Sequence, residues 1–163
     1  MIARGIPLRE AFALRRPISW RSAWLLMGGA LAATYAVSFA EVIVLGQGSR
    51  EQTVPQFWDP ERLAPLVANA VVVALVVPMV EEAACRGIGF RLIESYGRSL
   101  AIVVTSVAFA LAHGAVFDLP VLLAVGLGLG YLRAQSGSLY PGVVLHGIVN
   151  GVAVVTSALV AAR

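Results

Sequence analysis

VVPMVEEAACRG, Val76 to Gly87, is the stretch on which the fold turns. The seventeen residues from Ala64 to Val80 hold one polar side chain, Asn69, and then Glu81, Glu82 and Arg86 arrive together. An apolar run of that length is suited to a bilayer. Ionisable groups in a bilayer cost roughly 2.5–3.5 kcal/mol each on insertion scales and usually face a cavity or a partner. The stretch therefore reads as a transmembrane helix carrying a functional acid pair.

The rest of the chain agrees. Of 163 residues 59% are apolar and 13% charged, with a mean hydropathy of +0.84, whereas soluble domains average roughly 25% charged residues. The fold class this implies is all-α, a polytopic transmembrane bundle of four or five spans. The net charge of +3 comes from twelve arginines and no lysine. Those arginines are scattered rather than gathered along one element, which argues against a nucleic-acid partner. A single cysteine, Cys85, excludes an internal disulfide and reads as a buried packing residue.

Residues 1–21 form a basic arm, expected to be topogenic and to face anionic lipid; residues 22–163 form the transmembrane domain. Span one is expected from Ser22 to Leu45, with Trp20 and Trp24 as interfacial anchors. Gly46 to Arg62 reads as a loop with Gly46, Gly48, Pro55 and Pro60 as breakers and Phe57-Trp58 at the interface. Span two starts near Leu63 and continues as helix to Tyr96, and span three covers Leu100 to Phe117. Leu119 to Leu132 is fourteen residues, short of the ~17–25 of a full crossing, and the last span runs from Leu139 to Ala162. If all five cross, nine arginines fall on one side and three on the other, which places the N-terminus in the cytoplasm. No internal repeat of the transporter kind is present.

Both histidines, His113 and His146, lie inside apolar spans. His146 and Asn150 are four apart and share one helix face. Glu82 and Arg86 are also four apart and can pair, whereas Glu81 sits about 100° round the helix and is left for another task. A structural reading covers each residue alone: a histidine bonding a neighbouring helix, an ion pair within one helix. Glu41, isolated in span one, is assigned no role. The joint placement of two acids, two histidines and an amide on three spans points instead to a shared cavity near mid-membrane, open to the cytoplasm.

Glu81-Glu82-Ala-Ala-Cys-Arg86, Phe109-Ala-Leu-Ala-His113 and His146-Gly-Ile-Val-Asn150 read as EExxxR, FxxxH and HxxxN. This ordered set, with the run from Gly126 to Asn150, resembles the CPBP family of intramembrane proteases, which includes type II CAAX prenyl endopeptidases and bacteriocin-processing or immunity proteins. The resemblance covers about residues 76–160. It implies an endopeptidase acting on a membrane-associated peptide or protein segment, with Glu81 as the general base, His113 holding the water, and His146 and Asn150 as oxyanion donors. Glu82 and Arg86 would position Glu81, and Phe109 would pack beneath His113. Glu81, His113 and His146 are also an acceptable set of Zn2+ ligands, but HExxH is absent and a metal is not demanded. Family members usually have more spans, so a homo-oligomer would supply missing walls. The rival readings are a non-catalytic membrane immunity or scaffold protein of the same fold, and a proton-coupled carrier. Gly126, Gly128 and Gly130 are read as small-residue helix packing.

Overall fold

The computed structural model describes residues 7–45 and 63–161; the expected loop from Gly46 to Arg62 lies outside the described residues. Within them every regular element is helical. A single turn, α1 (Leu8–Ala11), precedes α2 (Trp20–Leu45). The long α3 (Ala64–Glu94) follows, then α4 (Arg98–Ala112), α5 (Leu119–Ser136) and α6 (Tyr140–Ala161). Helices α2, α3, α5 and α6 are long and apolar enough to cross a membrane. With the apolar side chains of Leu25, Phe39, Leu92, Leu111 and Leu159 facing outward, the chain is an integral membrane protein whose outer surface suits lipid.

Two span boundaries differ from expectation, each for a local reason. The third run stops at Ala112 instead of Phe117 because Gly114 takes φ +68° immediately after the His113 cap, a left-handed turn that ends helices. The fourth run does not stop at Leu132. Arg133 is buried, its Nε donates to the Arg86 carbonyl at 3.0 Å and its guanidinium lies over the Phe90 ring at 5.1 Å. With its charge satisfied there, α5 continues to Ser136, and Gly137 at φ +66° closes it. The short helix of the bundle is therefore α4, at 15 residues, and not the fourth run.

Helix α5 is the centre. Half of its apolar window is buried within the bundle, against 11% for α2 and 6% for α3. Its glycines permit this. A Cβ on Gly126 would sit 3.1 Å from the Ser106 backbone, one on Gly130 3.2 Å from Ile102, and one on Gly128 2.9 Å from Ala30. Gly126 and Gly130 thus seat α4, and Gly128 seats α2. Leu129 and Leu132 join Met27, Phe109 and Leu145 in the core between these helices.

The described part of the N-terminal arm, residues 7–19, is hydrogen-bonded to the bundle. Arg15 Nε donates to Gly137 O at 2.7 Å, the Ile18 amide to Ser136 O at 3.1 Å, and the Leu139 amide to Ala13 O at 3.1 Å. The Ser138 hydroxyl donates to Arg15 O, and Phe12 lies against Gly87, where a Cβ would meet its ring at 2.8 Å. The arm therefore marks the end of the bundle that holds the α5–α6 turn and the end of α3.

Candidate active site

Helix α3 is not a regular α-helix. Its backbone widens into π turns at Val72–Val76 and Ala83–Gly89, on either side of Glu81 and Glu82. Such turns are frequent at functional sites, and a carbonyl within each accepts from an outside donor. Val73 O accepts Asn150 Nδ2 at 3.0 Å, and Arg86 O accepts Arg133 Nε.

Glu82 and Arg86 form the pair expected from their spacing. Arg86 Nη1 donates to Glu82 Oε1 at 3.0 Å with both side chains fully buried, and Nη2 donates to Gly126 O at 2.8 Å. Gly142 on α6 makes room for the acid, since a Cβ there would meet Glu82 Oε2 at 2.8 Å. Phe109 is the platform beneath. The Arg86 guanidinium lies 4.7 Å from its ring centroid, His113 stacks tilted at 4.6 Å, and His146 meets it edge-on at 5.4 Å. A cation over an aromatic face is favourable where water is excluded.

The two histidines are oriented by different partners. At the end of α4 the last turn tightens, the His113 amide bonding Ala110 O. The Phe109 carbonyl accepts from His113 Nδ1 at 2.7 Å. A carbonyl only accepts, so Nδ1 carries the hydrogen and Nε2 of the neutral ring presents its lone pair. His146 Nδ1 lies 3.3 Å from Glu82 Oε1, and an Arg-paired carboxylate likewise calls for a hydrogen on Nδ1. Both Nε2 atoms then converge on Glu81 Oε2, at 3.9 Å from His113 and 3.6 Å from His146. That oxygen is buried and has no hydrogen-bond partner among the described residues.

All seven residues singled out in the sequence are thereby brought together. A cavity of about 320 Å³ opens beside them, lined by Phe109, His113, His146 and Asn150 and walled with valines and Leu122. It runs toward Ser38, Glu41 and Val42 at the end of α2 and Asp118 at the start of α5. These residues lie at the end of the bundle opposite the arm. Glu41 and Asp118, passed over in the sequence, form part of its wall. An isolated acid near the end of an apolar span was the available signal.

The histidines and Glu81 have donor atoms of the right type for zinc. Ligands in a tetrahedral zinc site with bonds of about 2.0–2.1 Å stand roughly 3.4 Å apart, closer than the 3.6 and 3.9 Å found here. As placed, no three His, Cys, Asp or Glu side chains among the described residues make a metal-holding set.

Comparison with curated proteins and with solved structures yields no match. A family model described as type II CAAX prenyl endopeptidase Rce1-like matches residues 63–152. Those residues run from the start of α3 past Asn150, so the match spans both π turns and every group that meets at Glu81. With a helical membrane fold around that cluster and more than half of its length matched, the chain belongs to the Rce1-like family of type II CAAX prenyl endopeptidases.

Proposed function

We propose that the protein is an intramembrane endopeptidase that hydrolyses a peptide bond of a membrane-associated substrate through water activated by Glu81. The observation that carries this is the unpartnered Glu81 Oε2 held between two imidazole nitrogens. Two acceptors bonded to one water at ~2.8 Å each stand roughly 4–4.5 Å apart, close to the 3.9 Å between Glu81 Oε2 and His113 Nε2. Water held this way gives one hydrogen to each acceptor and turns its lone pair toward the cavity. Glu81 takes the proton as the oxygen attacks the carbonyl carbon, then passes it to the leaving amine as the carbon–nitrogen bond breaks. Positioned general bases contribute roughly 10²–10⁴-fold.

The tetrahedral oxyanion would be met by His146 and Asn150. Because Nδ1–H is turned to Glu82, a donor role for His146 requires a second hydrogen on Nε2, the nitrogen that faces Glu81. Asn150 uses one amide hydrogen on Val73 O and keeps the second. Each such donor is worth roughly 10²–10³ in rate. Glu82 and Arg86 act at one remove, fixing His146 and the backbone that carries Glu81. A cytoplasmic N-terminus is supported by the arginines of the arm end, where Arg91 donates to Glu10 O at 3.2 Å and Arg15 to Gly137 O.

The test is cleavage of a membrane-anchored peptide by purified protein in liposomes. Glu81→Gln should lower turnover by roughly 10³-fold and His146→Ala by roughly 10², with circular dichroism unchanged. Wild-type turnover in either variant ends this assignment. Metal content of the active protein, and its response to a chelator, decide whether a zinc ion takes part.

A further inference from the structure

Pro78 lies fully buried in the middle of α3, three residues before Glu81. Proline has no backbone N–H, so the carbonyl that would bond to residue 78 is left open. The π turn decides which carbonyl that is. The Val77 amide bonds back to Val72 O, five residues earlier. The next rung in that register joins Val73 O to residue 78, where no hydrogen exists. In a membrane-spanning segment such a carbonyl must find another donor, and the donor it finds is Asn150 Nδ2 at 3.0 Å.

The neighbouring helix is shaped for this contact. Gly147 on α6, one turn before Gly151, lets the helices close until a Cβ would lie 2.7 Å from Ala74 O. Ala74 precedes Pro78 by four residues, so its carbonyl is the one an ordinary α-helical register would leave open. The close approach at Gly147 thus brings α6 against the gap in the ladder of α3, and Asn150, three residues on, reaches into it.

We infer that Pro78 is a positioning residue: its missing amide hydrogen frees the Val73 carbonyl to anchor Asn150 and so aims the second amide hydrogen of Asn150 into the cavity. This rests on the role given to Asn150 above for its catalytic consequence, but the anchoring stands on the hydrogen-bond geometry alone. Pro78→Ala restores a backbone N–H that competes for Val73 O, so the helix ladder gains a rung while Asn150 loses its fixed partner.

Both parts are read in full-length protein reconstituted in nanodiscs. The chain has two asparagines, Asn69 and Asn150, so asparagine-selective ¹⁵N labelling yields two side-chain amides, assigned with Asn150→Ala. Pro78→Ala should shift the Asn150 amide and leave that of Asn69 in place. On the membrane-anchored peptide it should lower kcat roughly 10-fold with KM unchanged, and Pro78→Ala with Asn150→Ala together should be no slower than Asn150→Ala alone. An unshifted Asn150 amide, or effects on kcat that multiply, would overturn the inference. If the wild type cleaves nothing, the proteolytic reading fails and the amide shift still decides the anchoring. Should Pro78→Ala not fold, Gly147→Ala serves, because its Cβ must push α6 away from Ala74 O and lengthen the same bond. It should give the same shift and the same non-multiplying kinetics, and an unmoved amide there counts against the proposal.

Discussion

The interfaces of α5 with α4 and of α3 with α6 use the same device to opposite ends. In both, glycines let two helices approach until a Cβ would collide: Gly126 and Gly130 against α4, Gly142 and Gly147 against α3. On the α4 side the backbone ladder is unbroken, and the side-chain hydroxyls of Thr105 and Ser106 bond back into their own helix at 2.8 and 2.6 Å. What the approach gains there is dispersion contact. On the α3 side two π turns and Pro78 break the ladder, and the close approach delivers polar atoms to one another. Small residues therefore set distance only; whether a close contact becomes a packing seam or a polar site depends on the state of the backbone beneath it.

The polar interface depends most heavily on Arg86. Arg86→Met leaves the Glu82 carboxylate buried without its partner, and losing one member of a buried pair costs about 3–5 kcal/mol. Thermal unfolding in detergent should fall sharply, with cleavage lost.

A smaller change on the same side separates stability from chemistry. Gly142→Ala puts a methyl 2.8 Å from Glu82 Oε2, so the carboxylate must turn and release His146. Turnover should drop by about 100-fold, equivalent to roughly 2.7 kcal/mol, while the melting temperature moves by only a few degrees. The matching change in the other interface should do the reverse. Gly126→Ala meets the Ser106 backbone at 3.1 Å and should cost about 1–3 kcal/mol of stability as overpacking, with turnover per folded molecule near wild type. Smallest of all, Ser106→Ala removes a hydroxyl that serves only its own helix and should stay within about 0.5 kcal/mol. A large loss of turnover from Gly126→Ala, or none from Gly142→Ala, would erase the distinction between the two interfaces.

Much of this was legible in the residues themselves. The four-residue spacing of Glu82 and Arg86 foretells their pairing, because a helix brings such positions together whatever surrounds it, and they pair at 3.0 Å. The same argument leaves Glu81 free, and Glu81 Oε2 faces the two histidines. The packing role expected of Gly126, Gly128 and Gly130 is met helix by helix. Where expectation failed, a single residue outweighed a composition. Gly114 ends α4 five residues before its apolar run does, and Arg133 prolongs α5 because Arg86 O and the Phe90 ring receive it. The docking of the arm on the α5–α6 turn combines the Arg15 and Ser138 side chains with two backbone hydrogen bonds, and on the backbone share side-chain identity is nearly silent.

By itself the sequence determined that this chain belongs in a bilayer as a helical bundle and that a handful of polar groups must share a cavity there. Transfer from water is a property each residue carries with it, so hydropathy sums along the chain without knowledge of neighbours. Only the tertiary structure decided which imidazole nitrogen faces Glu81, that the cavity leads away from the arm, and that Val73 O meets Asn150. Hydrogen bonds between helices depend on angles and distances of tenths of an ångström, and those are set by how neighbouring helices pack and where their ladders break.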